Sequence, residues 1–82
     1  MLLKGTSFAI LRDFLFCQRN QVRVVFLEVA DRVGCNEKTV RRNVDRLRAS
    51  GMIEVKRAKG PGPRVSILVM PEGKRILDQW LQ

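Results

Sequence analysis

The sequence predicts an α+β fold with four helices and a two-stranded hairpin. Two patterns support this fold class. Apolar residues recur at helical spacing in the first third, across residues 26–50 and near residue 77, and they alternate with polar residues on both sides of a Gly/Pro-rich segment at 59–64. The predicted order is helix 7–18, short strand 22–24, helix 26–33, helix 37–50, hairpin 52–70 and helix 71–82. With 82 residues, one domain with one modest core is expected.

The first predicted helix, residues 7–18, is more apolar than a small monomer needs. Thr6 or Ser7 is a favoured N-cap residue for it. The expected inward stripe consists of Phe8, Leu11, Phe14, Leu15 and Gln18. Ile10 and Cys17 lie beside that stripe, and Ala9 and Phe16 lie nearly behind it, so we expect a monomer to leave several of these four exposed. A second copy of the chain is the simplest cover for them, although scattered apolar surface residues are also common.

The central segment, residues 26–51, is typical of two short helices joined by a tight turn. Gly34 is predicted to end the first of these helices, because glycine adopts the left-handed backbone conformation without steric cost. Asn36 is a favoured N-cap for the second. The small Ala30 lets the two helices cross closely. The spacing of Ala30, Gly34 and Val40 is similar to that of prokaryotic helix-turn-helix proteins, and two ordinary amphipathic helices with a solvated charged face are the alternative.

The second of these helices, residues 37–50, is crowded with arginine. Its apolar residues Val40, Val44 and Leu47 fall in one narrow stripe. Sixteen Lys and Arg against eight Asp and Glu give the chain a formal net charge of +8, and nine of these cations lie within residues 37–64. Such concentrated charge predicts a polyanionic partner, either nucleic acid or an acidic membrane. Membrane binding is disfavoured, because the narrow apolar stripe is needed for the core.

Two segments are predicted to form strands. Val22 and Val24 are β-branched and alternate with a polar residue, which favours a very short strand. Residues 52–70 alternate on both sides of the sequence KGPGPR, whose prolines lack amide donors and whose glycines favour bends. This pattern predicts a β-hairpin with a basic tip. The basic residues at or near the tip are Lys56, Arg57, Lys59 and Arg64.

The last predicted helix, residues 71–82, follows directly after the hairpin. Pro71 suits its first turn, where the missing amide is not needed, whereas Gly73 is expected to weaken that turn. Together with the first helix it forms the predicted interface of a homodimer. The residues assigned to this interface are Phe8, Ile10, Phe14, Cys17, Leu77, Trp80 and Leu81.

Several classes of protein and site are disfavoured by composition. Cys17 and Cys35 have no metal-ligand spacing and the chain has no histidine, so we expect reduced packing thiols, no metal and no cofactor. A redox switch at Cys35 is a minor alternative. With no histidine or tyrosine and no glycine-rich phosphate loop, we expect no enzyme. No stretch approaches the ~20 apolar residues of a membrane span and no secretory signal is recognisable, so a cytoplasmic location is expected.

As an ordered set, these elements resemble the winged helix-turn-helix domain. The segment VADRVGCNEKTVRRNVDRLRASGMIEVKR, residues 29–57, is similar to the DNA-binding part of small bacterial and archaeal regulators of the MarR and ArsR families. The segment VMPEGKRIL, residues 69–77, is similar to the exit from their wing. The resemblance implies a transcriptional regulator that binds specific sequences of double-stranded DNA as a homodimer. Its two recognition helices would lie about 34 Å apart and contact a near-palindrome.

The resemblance also implies which residues contact DNA. The recognition helix, residues 37–50, would enter the major groove, and the wing, residues 52–70, would reach the backbone or minor groove. The implied DNA-binding residues are Asn36, Lys38, Thr39, Arg41, Arg42, Arg46, Lys56, Arg57, Lys59 and Arg64. Glu37 and Lys38 replace the usual pair of serines near the start of this helix, and Glu37 would repel phosphate unless it contacts a cytosine amino group. A protein-interaction or architectural module with weak, non-specific DNA binding is the alternative function.

Overall fold

The computed structural model describes residues 5–57 and 65–80, with the side chains of Arg57, Val65 and Trp80 outside the described set. Its fold is α+β, with four helices and one two-stranded antiparallel sheet. The elements in chain order are α1 (Gly5–Arg19), α2 (Phe26–Val33), α3 (Glu37–Ala49), β1 (Ile53–Arg57), β2 (Val65–Val69) and α4 (Pro71–Trp80). The predicted fold class and the order of these six elements are confirmed at this level.

The connection between α2 and α3 has the predicted geometry. Gly34 has a φ of 86°, in the left-handed region where a Cβ would be strained, and it ends α2. The amides of Gly34 and Cys35 both donate to the carbonyl oxygen of Ala30, at 2.8 and 2.9 Å. Asn36 caps α3 through a side-chain oxygen that accepts from the Thr39 amide at 2.8 Å. The turn between the two helices is therefore closed by hydrogen bonds on both sides.

The prediction of a strand at residues 22–24 is wrong. Residues 22–25 form no regular secondary structure. Val24 packs against the core while Val22 is exposed, so the two valines do not share one buried face. The Val69 amide of β2 donates instead to the side-chain oxygen of Gln18, at 2.7 Å. A strand must form hydrogen bonds with a neighbouring strand. Here the Val69 amide of β2 binds a side chain of α1 and is not available to residues 22–24.

The beginning of α1 also differs from the prediction. The helix starts at Gly5, so Thr6 and Ser7 lie inside it and do not cap it. Ser7 is buried, and its hydroxyl donates to the side-chain oxygen of Asn43. A serine that looked like a local cap in the sequence therefore forms a long-range contact between α1 and α3.

The core is organised around α1, which packs against the other three helices and against β2. Every described element contributes buried apolar side chains to it. These include Ile10, Leu11, Phe14 and Leu15 of α1, Val29 and Ala30 of α2, Val40, Val44 and Leu47 of α3, Ile53 of β1, Ile67 and Val69 of β2, and Leu77 of α4. The predicted stripe of α3 and the predicted alternation of the hairpin are both confirmed by this burial.

The core corrects the expected dimer contacts. Ile10 and Phe14 are 0% exposed and Cys17 and Leu77 are 1% exposed, so the prediction that a monomer would leave Ile10 and Cys17 exposed is wrong. The reason is that α1 is covered by neighbours over a wider arc than one stripe. These four side chains cannot contact a second subunit without leaving the core of their own chain.

The other residues of the expected interface have different positions. Phe8 is half-buried against the core. The Trp80 side chain and Leu81 lie outside the described residues. On α1, Phe16 is 53% exposed, as the sequence predicted for a residue behind the inward stripe.

The sheet and α4 are joined at a close contact between Met52 and Gly73. β1 and β2 pair from Ile53 with Val69 to Arg57 with Val65, and the Met70 amide extends this pairing by donating to the Met52 carbonyl oxygen at 2.9 Å. A Cβ at position 73 would lie 2.6 Å from the same oxygen. Gly73 therefore does more than weaken the first turn of α4, because its missing side chain is what allows the helix to approach β1.

Candidate nucleic-acid interface

Helix α3 separates its apolar and cationic residues onto opposite faces. Val40, Val44 and Leu47 point into the core. The basic residues of the helix are all exposed, namely Lys38, Arg41, Arg42, Arg46 and Arg48. Asp45 is exposed among them, and the side chain of Glu37 at the start of the helix is 40% exposed. The structure therefore brings together five cations on 13 residues of one solvent-facing helix.

Four of these cations have no side-chain partner. Across the described part of the chain, the side chains of Lys38, Arg42, Arg46 and Arg48 form neither an ion pair nor a hydrogen bond. Their charges are consequently not cancelled by a fixed carboxylate. An ammonium or guanidinium group in this state can bind a phosphate oxygen, and guanidinium can also donate two parallel hydrogen bonds to guanine.

Arg41 has a different environment. Its Nε and Nη2 donate to the same oxygen of Glu37, Oε1, at 3.1 and 2.7 Å. The guanidinium carbon lies 5.5 Å from the centre of the Phe26 ring, a distance typical of a cation–π contact. Arg41 is thus held in one place by a carboxylate on α3 and an aromatic ring on α2.

Asn36 and Thr39, two of the implied DNA contacts, are partly occupied by capping α3. The Asn36 side-chain oxygen accepts from the Thr39 amide and also from the Thr39 hydroxyl, at 2.8 and 2.9 Å. The Asn36 side-chain NH2 is left as a donor, and the Thr39 hydroxyl oxygen is left as an acceptor. While the cap is intact, the Asn36 side chain can only donate to a ligand and the Thr39 hydroxyl can only accept from one.

A buried polar pair sets the orientation of α3 against α1. Asn43 accepts from the Ser7 hydroxyl, and its own NH2 donates to the Thr39 carbonyl oxygen at 2.8 Å. Sequence reasoning missed this residue. Its position gave a usable signal, because Asn43 lies three residues after Val40 and four before Leu47, where the helical period expects an apolar side chain.

The predicted wing corresponds to β1 and β2. Lys56 is exposed on β1, opposite Ser66 in the sheet. Lys59 and Arg64 lie outside the described residues, as does the side chain of Arg57. Of the four basic residues assigned to the wing, the structure therefore places one side chain.

Outside this helix, Arg32 of α2 binds Asp13 of α1. The Nε and Nη2 atoms of Arg32 donate to the two carboxylate oxygens of Asp13, each at 2.9 Å. These bonds raise the pKa of Arg32, so its charge is permanent and locally paired. Beside them, burial and then the Asp13 charge raise the pKa of the Cys17 thiol, which favours its neutral form. This group is a structural link between α1 and α2.

No protein-family model matches this chain. Comparisons with curated proteins and with solved structures likewise give no match. Geometry and charge therefore carry the assignment of this surface.

Two further features were sought in the described ranges, 5–57 and 65–80. No group of three or more His, Cys, Asp or Glu residues there could hold a metal ion. No helix in those ranges has both the length and the apolar character needed to cross a membrane. The outer face of α3 is the part of the described surface where uncancelled charge is most concentrated, and a polyanion is the ligand class that this charge attracts.

Proposed function

We propose that this chain is a winged helix-turn-helix protein that binds specific sequences of double-stranded DNA and regulates transcription. The observation that carries the proposal is the outer face of α3, where Lys38, Arg42 and Arg46 are exposed and unpaired within the described residues while the inner face is fixed in the core. A helix of this kind exposes donors toward a groove and cannot rotate to bury them.

The dimensions of α3 suit the major groove. Thirteen residues at a rise of about 1.5 Å give a helix roughly 20 Å long. The groove is about 12 Å wide and admits one helix with its side chains. The first two turns carry Lys38 and Arg42, which would contact base edges, whereas Arg46 lies one turn further back, where phosphates are closer.

The hairpin that follows α3 would act as the wing. β1 begins four residues after α3 ends, and it packs against α3. Lys56 is exposed on this strand, so it would add a contact to the DNA backbone. Arg57, Lys59 and Arg64 keep the roles that the resemblance implies for them.

A homodimer remains part of the proposal, with a revised contact surface. Phe16 is exposed between two shallow grooves of α1, one of which is shared with Leu77 and Asp78 of α4. Arg12 and Arg19 line the same groove as Asp78. In a two-fold arrangement, the Asp78 of each subunit could pair with an arginine of the other around a pair of Phe16 rings.

Light scattering in solution tests this dimer. We expect the wild-type chain to have the mass of two subunits and Phe16→Ser to have the mass of one, with an unchanged circular dichroism spectrum. A wild-type monomer, or a Phe16→Ser dimer of undiminished stability, would show that this face of α1 is not the contact.

Selection of binding sites from a random duplex library tests the function itself. At about 0.15 M salt, where exposed charges are well screened, we expect recovery of a defined sequence, arranged as an inverted repeat if the protein is a dimer. Arg42→Ala should lose the preference for one base position. Recovery of unselected sequences at weak affinity would reject sequence-specific regulation.

A protein-interaction or architectural role is the second candidate, and Phe16 favours it. Its exposed ring and the two adjacent grooves could bind a partner protein in place of a second copy. Under this alternative, duplex DNA would bind weakly and without sequence preference, and Phe16→Ser would leave the mass of the chain unchanged.

A further inference from the structure

The ion pair between Glu37 and Arg41 leaves a specific set of hydrogen-bonding groups unused. Both N–H groups on one side of the Arg41 guanidinium, from Nε and Nη2, go to Oε1 of Glu37. The two parallel N–H groups at the outer end, on Nη1 and Nη2, have no partner within the described residues. The second carboxylate oxygen of Glu37, Oε2, accepts no hydrogen bond there either. Both side chains are exposed, at 64% and 40%.

These unused groups match the major-groove edge of a G·C base pair. Guanine presents two acceptors, N7 and O6, which suit the two parallel donors of an arginine. The paired cytosine presents one donor, its N4 amino group, which suits a carboxylate oxygen. The joined side chains therefore offer two donors and one acceptor, in the same sequence of types that the base pair requires.

Other base pairs fit this set less well. In an A·T pair, thymine presents the O4 acceptor where cytosine has its amino donor. A carboxylate oxygen facing O4 would place two acceptors against each other. The carboxylate of Glu37 is also repelled by the DNA phosphates. It therefore disfavours every DNA sequence that offers it no hydrogen-bond donor in return.

Phe26 contributes by holding the arginine in place. Its ring lies under the guanidinium at 5.5 Å, and it comes from α2, so the position of Arg41 is fixed by two helices. A side chain that is already oriented loses less rotational freedom when it binds. Phe26 is in this sense a positioning residue, because it acts on the base through Arg41.

Resting on the proposed function, we propose that Glu37 and Arg41 act together as a reader of one G·C base pair. Arg41 donates to N7 and O6 of guanine through its outer N–H groups, and Glu37 accepts from N4 of cytosine through Oε2. The carboxylate raises discrimination and at the same time lowers affinity for DNA in general. This opposition separates the proposal from a purely structural ion pair, whose loss would not alter base preference.

The experiment first compares wild type with Glu37→Gln in binding-site selection. The affinity of both proteins is then measured on three duplexes, namely the selected one, the same one with the G·C pair replaced by A·T, and a random one. We expect Glu37→Gln to bind random duplex several-fold more tightly, because one repulsive charge is removed. Its discrimination between G·C and A·T at one position should fall about tenfold. Arg41→Lys should lose the same preference, since lysine lacks the parallel donors.

Glu28→Gln is the matched control, because Glu28 is an exposed acid on α2 whose charge acts on Arg32 of the same helix and not on α3. It should change affinity for all duplexes alike and leave every base preference intact. Thermal unfolding of each variant checks that the fold is retained, and Phe26→Leu should reduce the G·C preference while the purified protein stays folded.

The outcomes separate the two levels of the proposal. If wild type selects no sequence, the proposed function fails and this inference fails with it. If wild type selects a sequence and Glu37→Gln selects the same one with equal discrimination, only the reading by Glu37 and Arg41 is overturned.

Discussion

Single residues determine where the helices of this chain end. Gln21 has a φ of 56° and follows the end of α1, where the Val22 amide donates to the Cys17 carbonyl oxygen at 2.8 Å. This hydrogen bond, five residues back along the chain, closes a Schellman-type helix end. Glycine is the usual residue at that position, and glutamine carries a Cβ that is strained there.

Replacing Gln21 with glycine should therefore stabilise the protein. The expected gain is about 0.5–1 kcal/mol, because relief of the left-handed strain exceeds the extra freedom of glycine in the unfolded chain. Urea denaturation measures it. Arg19→Gly, at the last position of α1, is the control and should lower stability. A loss of stability in Gln21→Gly would show that the glutamine side chain has a stabilising contact that outweighs its backbone.

A second residue-scale prediction concerns the close approach of Gly73 to Met52. Gly73→Ala should cost about 1–3 kcal/mol, because the new Cβ would lie 2.6 Å from the Met52 carbonyl oxygen and the backbone must shift. Gly5→Ala provides the matched control, since a Cβ at Gly5 meets nothing within 4 Å. Thermal unfolding should show a drop of several degrees for the first variant and little change for the second. Equal melting temperatures would contradict the close contact.

Residue-level rules predicted some of these features and not others. Gly34 and Asn36 were identifiable because their roles depend on local backbone conformation, which a short stretch of sequence encodes. Ser7 matches the same local rules for a cap, yet its partner is Asn43, 36 residues away. Likewise, the need for glycine at position 73 depends on Met52, which only the folded chain brings near.

At the scale of elements, the junction of α1 and α3 depends on one buried hydrogen bond. Ser7→Ala should cost about 1–3 kcal/mol, because the Asn43 side-chain oxygen would be left buried without its donor. Adding Asn43→Leu should recover a substantial part of that loss by removing both polar partners. Denaturant unfolding of the two single variants and the double variant gives the coupling directly. Additive losses in the double variant would indicate that the two groups act independently.

The elements themselves were largely predictable, and the reason lies in their periodicity. The four helices and the hairpin each have a core-facing pattern of their own, so a sequence window is sufficient to recognise them. Residues 22–24 have a strand-like composition but no available partner strand, and pairing is a property of two segments. A sequence window around Val22 does not reach Val69, whose amide binds the side chain of Gln18.

At the scale of the whole molecule, charge should govern how affinity responds to salt. In the proposed complex Arg46 contacts phosphate, so Arg46→Ala should lower the slope of log K against log salt by about 0.9 and weaken all sequences alike. Arg42→Ala should cost about 1–3 kcal/mol on the selected site and much less on random duplex. Titrations at several salt concentrations measure both quantities. Loss of discrimination from Arg46→Ala and not from Arg42→Ala would reverse these two roles.

The extent of coverage of α1 was the main global feature that sequence reasoning could not predict. Ile10, Cys17 and Phe16 are all apolar residues outside the predicted inward stripe, yet the first two are buried and the third is exposed. Which of them is covered depends on where α2, α4 and β2 pack around α1. Helical periodicity gives the direction of each side chain and leaves the arc occupied by neighbours undetermined. The cationic face of α3 was predictable because exposure there follows from charge itself.

The hydrogen bond from the Val69 amide to Gln18 makes one proton a reporter of tertiary docking. Amides within the sheet exchange with deuterium when the two strands separate, whereas the Val69 amide is protected by a side chain of α1. Its exchange rate therefore measures how often α1 lifts away from the hairpin. In Gln18→Ala this one amide should exchange rapidly while the Leu68 amide, which faces Glu54 across the sheet, keeps its protection. The motion of a whole helix could therefore be followed at a single resonance.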